Sequence, residues 1–475
     1  MTSPVTYQRH DDIGVIVIDN PPVNALGQAV RQGLIEAVNQ GNEDPQARVL
    51  VLVARGSTFI AGADIREFGK PPQAPILPQV IAHLEDSAKP IVAALHGTAL
   101  GGGLEVALGC QLRVALPGTK VGLPEVKLGL LPGAGGTQRL PRLAGIEAAL
   151  DLITSGRFVA ADEALSLGIV DAVLAFDDPL KAGLAAAREI ADGTRTPRIT
   201  GELPSPAADP EAIERYRAQL ESEAPDLYSP FRCIEAIAAS CEGSLTEGLR
   251  RERELFLDCM ESPQRAGLIH AFFAARAPHK VPDAGGTPAL TRIALLGEHP
   301  LFARLQSKAE RAGIELSARS DDNTQACLIA PGADTTCPAH CLSIALLGVE
   351  AAVDLESLGA DLALVVSAQG SLAELIMLRA SAEQQQATAN ALKALRQGVV
   401  VSRQGSLLAT LSKAASDDVA NPHAALEAAS LMLADRGWAY RGGDIDLLAI
   451  EVLGYPRHLG GPHRQATLAI EEQRS

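Results

Sequence analysis

His96-Gly-Thr-Ala-Leu-Gly-Gly-Gly-Leu-Glu105 and, shortly after it, Gly122-Leu-Pro-Glu125-Val-Lys-Leu-Gly-Leu-Leu-Pro-Gly-Ala-Gly-Gly-Thr-Gln-Arg139 are the stretches on which the reading of this chain turns. Each glutamate follows a turn marked by glycine or proline, which can aim its carboxylate at a shared substrate. Two carboxyls near one bond can divide acid and base work when their surroundings push their proton affinities apart. Gly101-Gly102-Gly103 supplies the complementary half, because a backbone N–H without a neighbouring Cβ can point at a developing negative charge. A helix starting there favours that anion through its dipole. Taken singly, Glu105 reads as a solvated helix-face residue, Glu125 as a charge at a helix start, and the glycines as a turn. The ordered motifs around them argue for more.

Outward from these runs, Gly14-Val-Ile-Val-Ile-Asp19, Arg48-Val-Leu-Val-Leu-Val-Ala54 and Ile91 to Leu95 read as buried strands, and Asn24 to Gln40 as an amphipathic helix. Strands this apolar have no solvated face, which points to a layered α/β architecture. At 475 residues the chain has room for several domains. Its net charge of -16 and pI near 5.1 argue against nucleic acid as a partner. No apolar run is long enough for a membrane span. The first residues lack a basic, then apolar, leader and the last are not Ser-Lys-Leu, so a cytoplasmic location is expected. Seven cysteines then read as reduced thiols. Cys110 follows an apolar stretch and reads as a small buried hydrophobe. Cys337-Pro-Ala-His340-Cys341 offers three soft ligands where a closed zinc site needs four, so no metal is expected.

Further motifs occur in order: Asn20-Pro-Pro-Val-Asn-Ala-Leu26, Ser57-Thr-Phe-Ile-Ala-Gly-Ala-Asp64-Ile, Ile91-Val-Ala-Ala-Leu-His-Gly97 and the loop from Gly133 to Arg139. Together with the two glutamate runs they resemble the crotonase (enoyl-CoA hydratase/isomerase) family across residues 1–191. The resemblance implies a spiral of ββα repeats. It implies an acyl-CoA thioester as substrate, its carbonyl oxygen held by the N–H groups of Ala63 and Gly102. Glu105 would activate water and Glu125 deliver the proton, although coupled carboxyls titrate as a pair. Members that only shift a double bond generally lack a match to Glu105, so hydration is expected, with 3,2-enoyl isomerisation through Glu125 as a side activity. Asp64 would shape the turn at Ala63 by local hydrogen bonds. Against the acidic field of the chain, the anionic CoA needs local cations, with Lys70, Lys89, Lys120, Lys127, Arg139 and Arg142 as candidates. Loops such as Phe68 to Leu84 would wall the pocket.

Residues 192–230, rich in proline, alanine and acids, read as a linker, with a helical region after them, together spanning 192–288. The run from Glu252 to Arg276 resembles the linker helices of multifunctional β-oxidation proteins, and its spacing puts Leu255, Phe256, Phe272 and Phe273 in a core. Those proteins continue with a dinucleotide-binding domain, which Thr291-Arg-Ile-Ala-Leu-Leu-Gly297-Glu-His-Pro-Leu-Phe302 resembles in broken form. Gly297 stands, but His299 and Phe302 replace the second and third glycines and Glu298 adds a charge that repels phosphate. Glu315 and Asp321 lie at plausible distances for a ribose-binding acid. Where the family has the catalytic histidine, Ala363-Leu-Val-Val-Ser-Ala-Gln-Gly370 has none, while Gly454-Tyr-Pro-Arg-His-Leu-Gly-Gly-Pro-His463 resembles the end of the same domain. The expectation is a shortened, Rossmann-like but degenerate dehydrogenase domain at 289–380 and a helical dehydrogenase C-terminal-like domain at 381–475. NAD binding is not expected, and no cofactor beyond the CoA of the substrate. Alternatives are a working hydratase/dehydrogenase and a noncatalytic acyl-CoA-binding or assembly protein. Partnership with a thiolase, or with further copies of the chain, is implied by family analogy only.

Overall fold

Ile13–Ile18 and Val49–Ala54 are buried along their whole length. Alternate side chains enter different cores: Ile16, Ile18, Leu50 and Leu52 one, Ile13, Val15, Val49 and Val51 another. In the computed structural model, which describes residues 3–67, 70–333, 337–349, 355–367, 370 and 372–474, the chain divides into two compact units, Met1–Arg265 and Ala266–Ser475.

The first unit holds a six-stranded sheet in the order Val5–His10, Ile13–Ile18, Val49–Ala54, Ile91–Leu95, Leu112–Ala115 and Ala172–Val173. Its first pair is antiparallel and the others parallel. The helix Pro179–Ala191 covers one face through Ala182, Ala186 and Ala187. A three-stranded sheet of Thr98–Leu100, Lys120–Gly122 and Val159–Ala160 stands apart and carries the turns into both glutamate runs. The expected helix from Asn24 instead spans Gln28–Glu43. Asn24 has a positive φ of 53° and Leu26 bridges to Ala63, which spends residues 24–27 on the wall of the site.

The region read as linker belongs largely to this unit. Residues 192–209 are irregular apart from one 3-10 turn at Thr200–Glu202, and a further loop spans residues 224–228. The helices Pro210–Glu223, Ser229–Ala239 and Leu245–Glu261 each place an apolar stripe in the main core, with Ala212, Ile234, Ile237, Leu255 and Cys259 fully buried. Proline and acids mark helix starts here; Asp209 accepts from Ala212 N at 2.9 Å, capping a helix whose second residue in that run is proline-led. The expected core position of Phe273 does not hold: its ring is 45% exposed, edge-on to Phe272.

The second unit holds a seven-stranded sheet in the order Glu315–Ser317, Arg292–Leu296, Ala326–Ile329, Leu342–Gly348, Leu362–Val366, Leu372–Met377 and Gly398–Arg403. All neighbours are parallel except Leu362–Val366 with Leu372–Met377. The sheet therefore runs past residue 380, because Val399, Val400 and Val401 are buried on both faces. Helices Leu407–Asp417, Pro422–Asp435 and Gly442–Leu453 pack on Ala363, Val365, Ile376 and Val400, so 289–380 and 381–475 share a core. Among the described residues, α-helical crossovers join Arg292–Leu296 to Glu315–Ser317 and Leu372–Met377 to Gly398–Arg403 only. No helix is long and apolar enough to cross a membrane, among the described residues.

Candidate active site

Gly101 has φ 53° and ψ -128°, a backbone conformation open to glycine, and it turns the strand Thr98–Leu100 into the helix Gly102–Leu108. That turn brings the parts of the site together. A Cβ on Gly101 would lie 2.7 Å from Glu125 Oε1, so the carboxylate rests on this glycine. A Cβ on Gly102 would lie 3.8 Å from the amide nitrogen of Ala63. The Ala63 amide nitrogen thus lies close to Gly102, and the Glu125 carboxylate close to the neighbouring Gly101. At the Leu26 to Ala63 bridge the hydrogen bond runs from Leu26 N to Gly62 O at 2.9 Å, which does not use the Ala63 amide.

Asp64 holds the far side of this turn. Its carboxylate accepts Arg66 N at 3.0 Å and the Arg66 guanidinium down to 2.6 Å, and these bonds keep it below its ordinary range. Arg31 braces the same segment, donating to Leu26 O at 2.8 Å, Pro75 O at 2.7 Å and Glu67 Oε2 at 2.7 Å. The pocket wall expected as a loop from Phe68 to Leu84 contains the helix Leu77–Glu85, while Phe68 and Gly69 lie outside the described residues.

Glu105 sits in the first turns of its helix and is 3% exposed. Its Oε1 accepts the N–H groups of Ala134 at 2.8 Å and Gly136 at 2.9 Å. Burial raises its proton affinity; those two amides and Arg139 oppose the rise. Glu125 lies in the 3-10 turn Pro124–Leu128, and its buried Oε2 has no hydrogen-bond partner. Burial pushes its carboxyl well up, and the charge of Glu105, then of Glu252, adds to this. One carboxylate is therefore anchored by amides, and the other is biased towards holding a proton.

Glu252, from the helix Leu245–Glu261, is the site residue that the sequence reading did not single out. Its Oε1 accepts Gly135 N at 2.7 Å, and its Oε2 accepts Thr137 N at 3.1 Å and Thr137 Oγ1 at 2.5 Å. The amides from 134 to 137 alternate between the two carboxylates, Glu105 taking the even residues and Glu252 the odd. Both carboxyl groups thus bind the N-terminus of the helix Gly136–Ala144, where free N–H groups and the helix dipole favour acceptors. Burial, then the charge of Glu105, pushes Glu252 up to about 8. No local motif marks this residue, since its partners are more than a hundred positions away.

Of the candidate CoA cations, Arg139 is taken: its guanidinium makes a buried fork onto Glu85 at 3.0 and 2.6 Å. Lys89 donates to the Gly41 and Asp44 carbonyls, and Arg142 to Gln138 O at 2.7 Å. Lys70, Lys120 and Lys127 remain exposed, Lys127 over the Phe158 ring at 5.3 Å. Cys110 is buried as expected, its thiol pushed up to about 12 by burial.

An amide-anchored carboxyl and a second buried carboxyl thus stand in one α/β unit, close to Gly102 and the Ala63 amide nitrogen. Residues 8–202 match the family model described as enoyl-CoA hydratase/isomerase. The peroxisomal bifunctional enzyme of Danio rerio is 41% identical over 271 residues, covering 56% of this chain and 37% of that protein. That of Homo sapiens is 40% identical over 282 residues, covering 58% and 38%. A peroxisomal fatty acid beta-oxidation multifunctional protein of Arabidopsis thaliana is 37% identical over 309 residues, covering 61% and 42%. The chain thus spans less than half the length of these curated relatives. Among solved structures, an enoyl-CoA hydratase from Bacillus anthracis is 27% identical, covering 57% of this chain and 96% of its own, with a TM-score of 0.38.

Proposed function

We propose that the first unit is a trans-2-enoyl-CoA hydratase of fatty-acid or related acyl-CoA metabolism, joined to a dehydrogenase-like second unit that does not turn over. The observation that carries the first half is that one turn at Gly101 sets Glu125 against Gly101, Gly102 beside the Ala63 amide nitrogen, and Glu105 in the helix that follows. Water adding across a conjugated 2,3 double bond drives electron density onto the thioester oxygen, which the two N–H groups receive. Such a donor is worth about 3–4 kcal/mol of barrier. Glu105, held by two amides through Oε1, takes a proton from water as the hydroxyl adds to C3. Glu125, whose buried Oε2 has no hydrogen-bond partner, gives its proton to C2.

Three features support a silent second unit. At the turn that would receive a dinucleotide pyrophosphate, His299 Nδ1 accepts Leu301 N at 3.2 Å and Pro300 has no N–H to offer. Phe302 is packed into the core behind it. The two candidate ribose acids are engaged elsewhere, Glu315 with Arg292 at 3.0 Å and Asp321 with Thr324 and Asn323 at 2.9 Å. Of the run lacking the catalytic histidine, Ala368 and Gln369 lie outside the described residues. A scaffold role, self-association, a thiolase partner and a cytoplasmic location belong to the same proposal; the relatives named above are peroxisomal by name.

Loss of enoyl-thioester absorbance with crotonyl-CoA and longer enoyl-CoAs, followed by NAD in the same cuvette, tests both halves. The expected result is hydration without NADH. Glu125→Gln should lower the rate by about 10²–10⁴-fold while CoA binding persists. NADH formation would restore the bifunctional alternative, and an unchanged rate in the variant would leave only acyl-CoA binding.

A further inference from the structure

Cys327 lies on the strand Ala326–Ile329, and Cys337 and Cys341 lie on the segment leading into the strand Leu342–Gly348. The parallel register pairs Ala326 with Leu342 and Cys327 with Ser343, which sets Cys341 beside the start of the Cys327 strand. The three Sγ atoms come within 4.8 Å of one another, and all three thiols are free. The sequence run suggested Cys337, His340 and Cys341 as its ligand atoms; His340 is exposed and outside this group, and Cys327 stands in its place.

The hydrogen-bond partners of these thiols include backbone carbonyls: Cys337 Sγ approaches Pro338 O at 3.6 Å and Cys341 O at 3.8 Å, and Cys341 Sγ approaches Thr324 O at 3.1 Å. Cys337 and Cys341 also line a cavity of about 710 Å³, with Ser343, Asp361 and Arg379 on its wall. One side of the sulfur cluster therefore faces open space, and the other is packed against the sheet.

We propose that Cys327, Cys337 and Cys341 form a three-thiolate site for a single thiophilic cation, with its remaining coordination position open to the cavity. Three sulfurs at this separation suit Cu(I), or Zn(II) completed by water, and oxygen-seeking cations such as Mg(II) do not compete for them. Each thiol gives its proton to solvent as its sulfur bonds the cation, so binding strengthens as pH rises. The bound cation ties the Cys337–Cys341 segment to the Cys327 strand.

The test is a titration of the reduced, chelator-washed full chain with Cd(II), read by the ultraviolet charge-transfer absorption of cadmium thiolates. The expected result is a band that saturates at one cation per chain and is displaced by Cu(I) or Zn(II), whichever the site selects. It should vanish in Cys327→Ser and Cys337→Ser and persist in Cys241→Ser and His340→Ala. Cys327 is buried in the sheet, so the half-exposed Cys337 variant, with its circular dichroism unchanged, decides the matter. A band of undiminished size in that variant, no saturable band in the parent chain, or failure of both Cu(I) and Zn(II) to displace Cd(II) would overturn the proposal.

Discussion

Replacing Glu252 by glutamine keeps the shape of the side chain but takes an acceptor from the start of the helix Gly136–Ala144. The carboxylate serves Gly135 N at 2.7 Å and both polar groups of Thr137. A glutamine carbonyl can keep Gly135, but its NH₂ then faces the Thr137 N–H, and one buried donor left without a partner costs about 1–3 kcal/mol. A titration term acts in the opposite direction. Burial and Glu105 lift Glu252 from its ordinary value near 4.5 to about 8 in the folded chain. Between those values the folded state keeps a proton that the unfolded state has released. Parent stability contributed by this group is thus fully present below about pH 4.5 and is lost as pH rises towards about 8, by on the order of a few kcal/mol. Glutamine does not titrate. The variant should therefore be less stable than the parent at about pH 5, and the gap should close or reverse by about pH 9. The measurement is the urea midpoint at which hydratase activity is lost, taken across that range. A gap that stays constant with pH would refute the reasoning. Because the charge of Glu252 also raises Glu125, the alkaline limb of the parent pH–rate profile should move to lower pH in the variant.

Gly101→Ala places a Cβ 2.7 Å from Glu125 Oε1 at a positive φ of 53°, displacing the proton donor. We expect kcat to fall about 10²-fold with KM much less affected, checked by steady-state hydration kinetics. Glu85→Ala strands the Arg139 guanidinium, which is 3% exposed, and should destabilise the first unit by about 3–5 kcal/mol in the same urea assay. A chain ended after residue 191 loses Ile234, Ile237 and Leu255 from the core, each worth about 1.5–3 kcal/mol, as well as Glu252. It should be unfolded or inactive where a chain ended after residue 265 hydrates enoyl-CoA, a contrast read by circular dichroism and activity.

The parts of the site that local sequence could reveal are those built from short-range turns. Gly101 to Gly103 and the Ala63 run are backbone features, and backbone geometry leaves a mark in glycine and proline. Strand periods were equally plain in Ile13–Ile18 and Val49–Ala54, whose apolar runs follow from burial on both faces. The helix expected from Asn24 failed at its start because a tertiary bridge to Ala63 outweighed helical periodicity over residues 24–27. Arg139 looked like a CoA cation because charge in a sequence carries no record of its partner; Glu85, 54 positions away, claims it. The linker reading failed for a related reason. Alanine, proline and acidic residues describe a solvated connection and a well-capped amphipathic helix equally well, and only the core into which Ile234 and Leu255 pack separates the two.

That failure bears on how the chemistry is arranged. The helix Gly136–Ala144 offers its first amides to two carboxylates from opposite directions in the chain, Glu105 before it and Glu252 well after it. One helix end receiving two anions is an expensive arrangement if both are charged, because their repulsion in a buried site exceeds what the dipole returns. The cost falls if the pair and Glu125 together keep protons, which is what burial favours for all three. A hydratase needs one ionised and one protonated carboxyl at neutral pH. Burial and the charge of Glu105 favour a proton on Glu125, while the two amides on Glu105 Oε1 favour the ionised form there; Glu252, at about 8, adds its own charge only at alkaline pH. The helix Leu245–Glu261 thus reaches from the core of the first unit to the helix end that also holds Glu105.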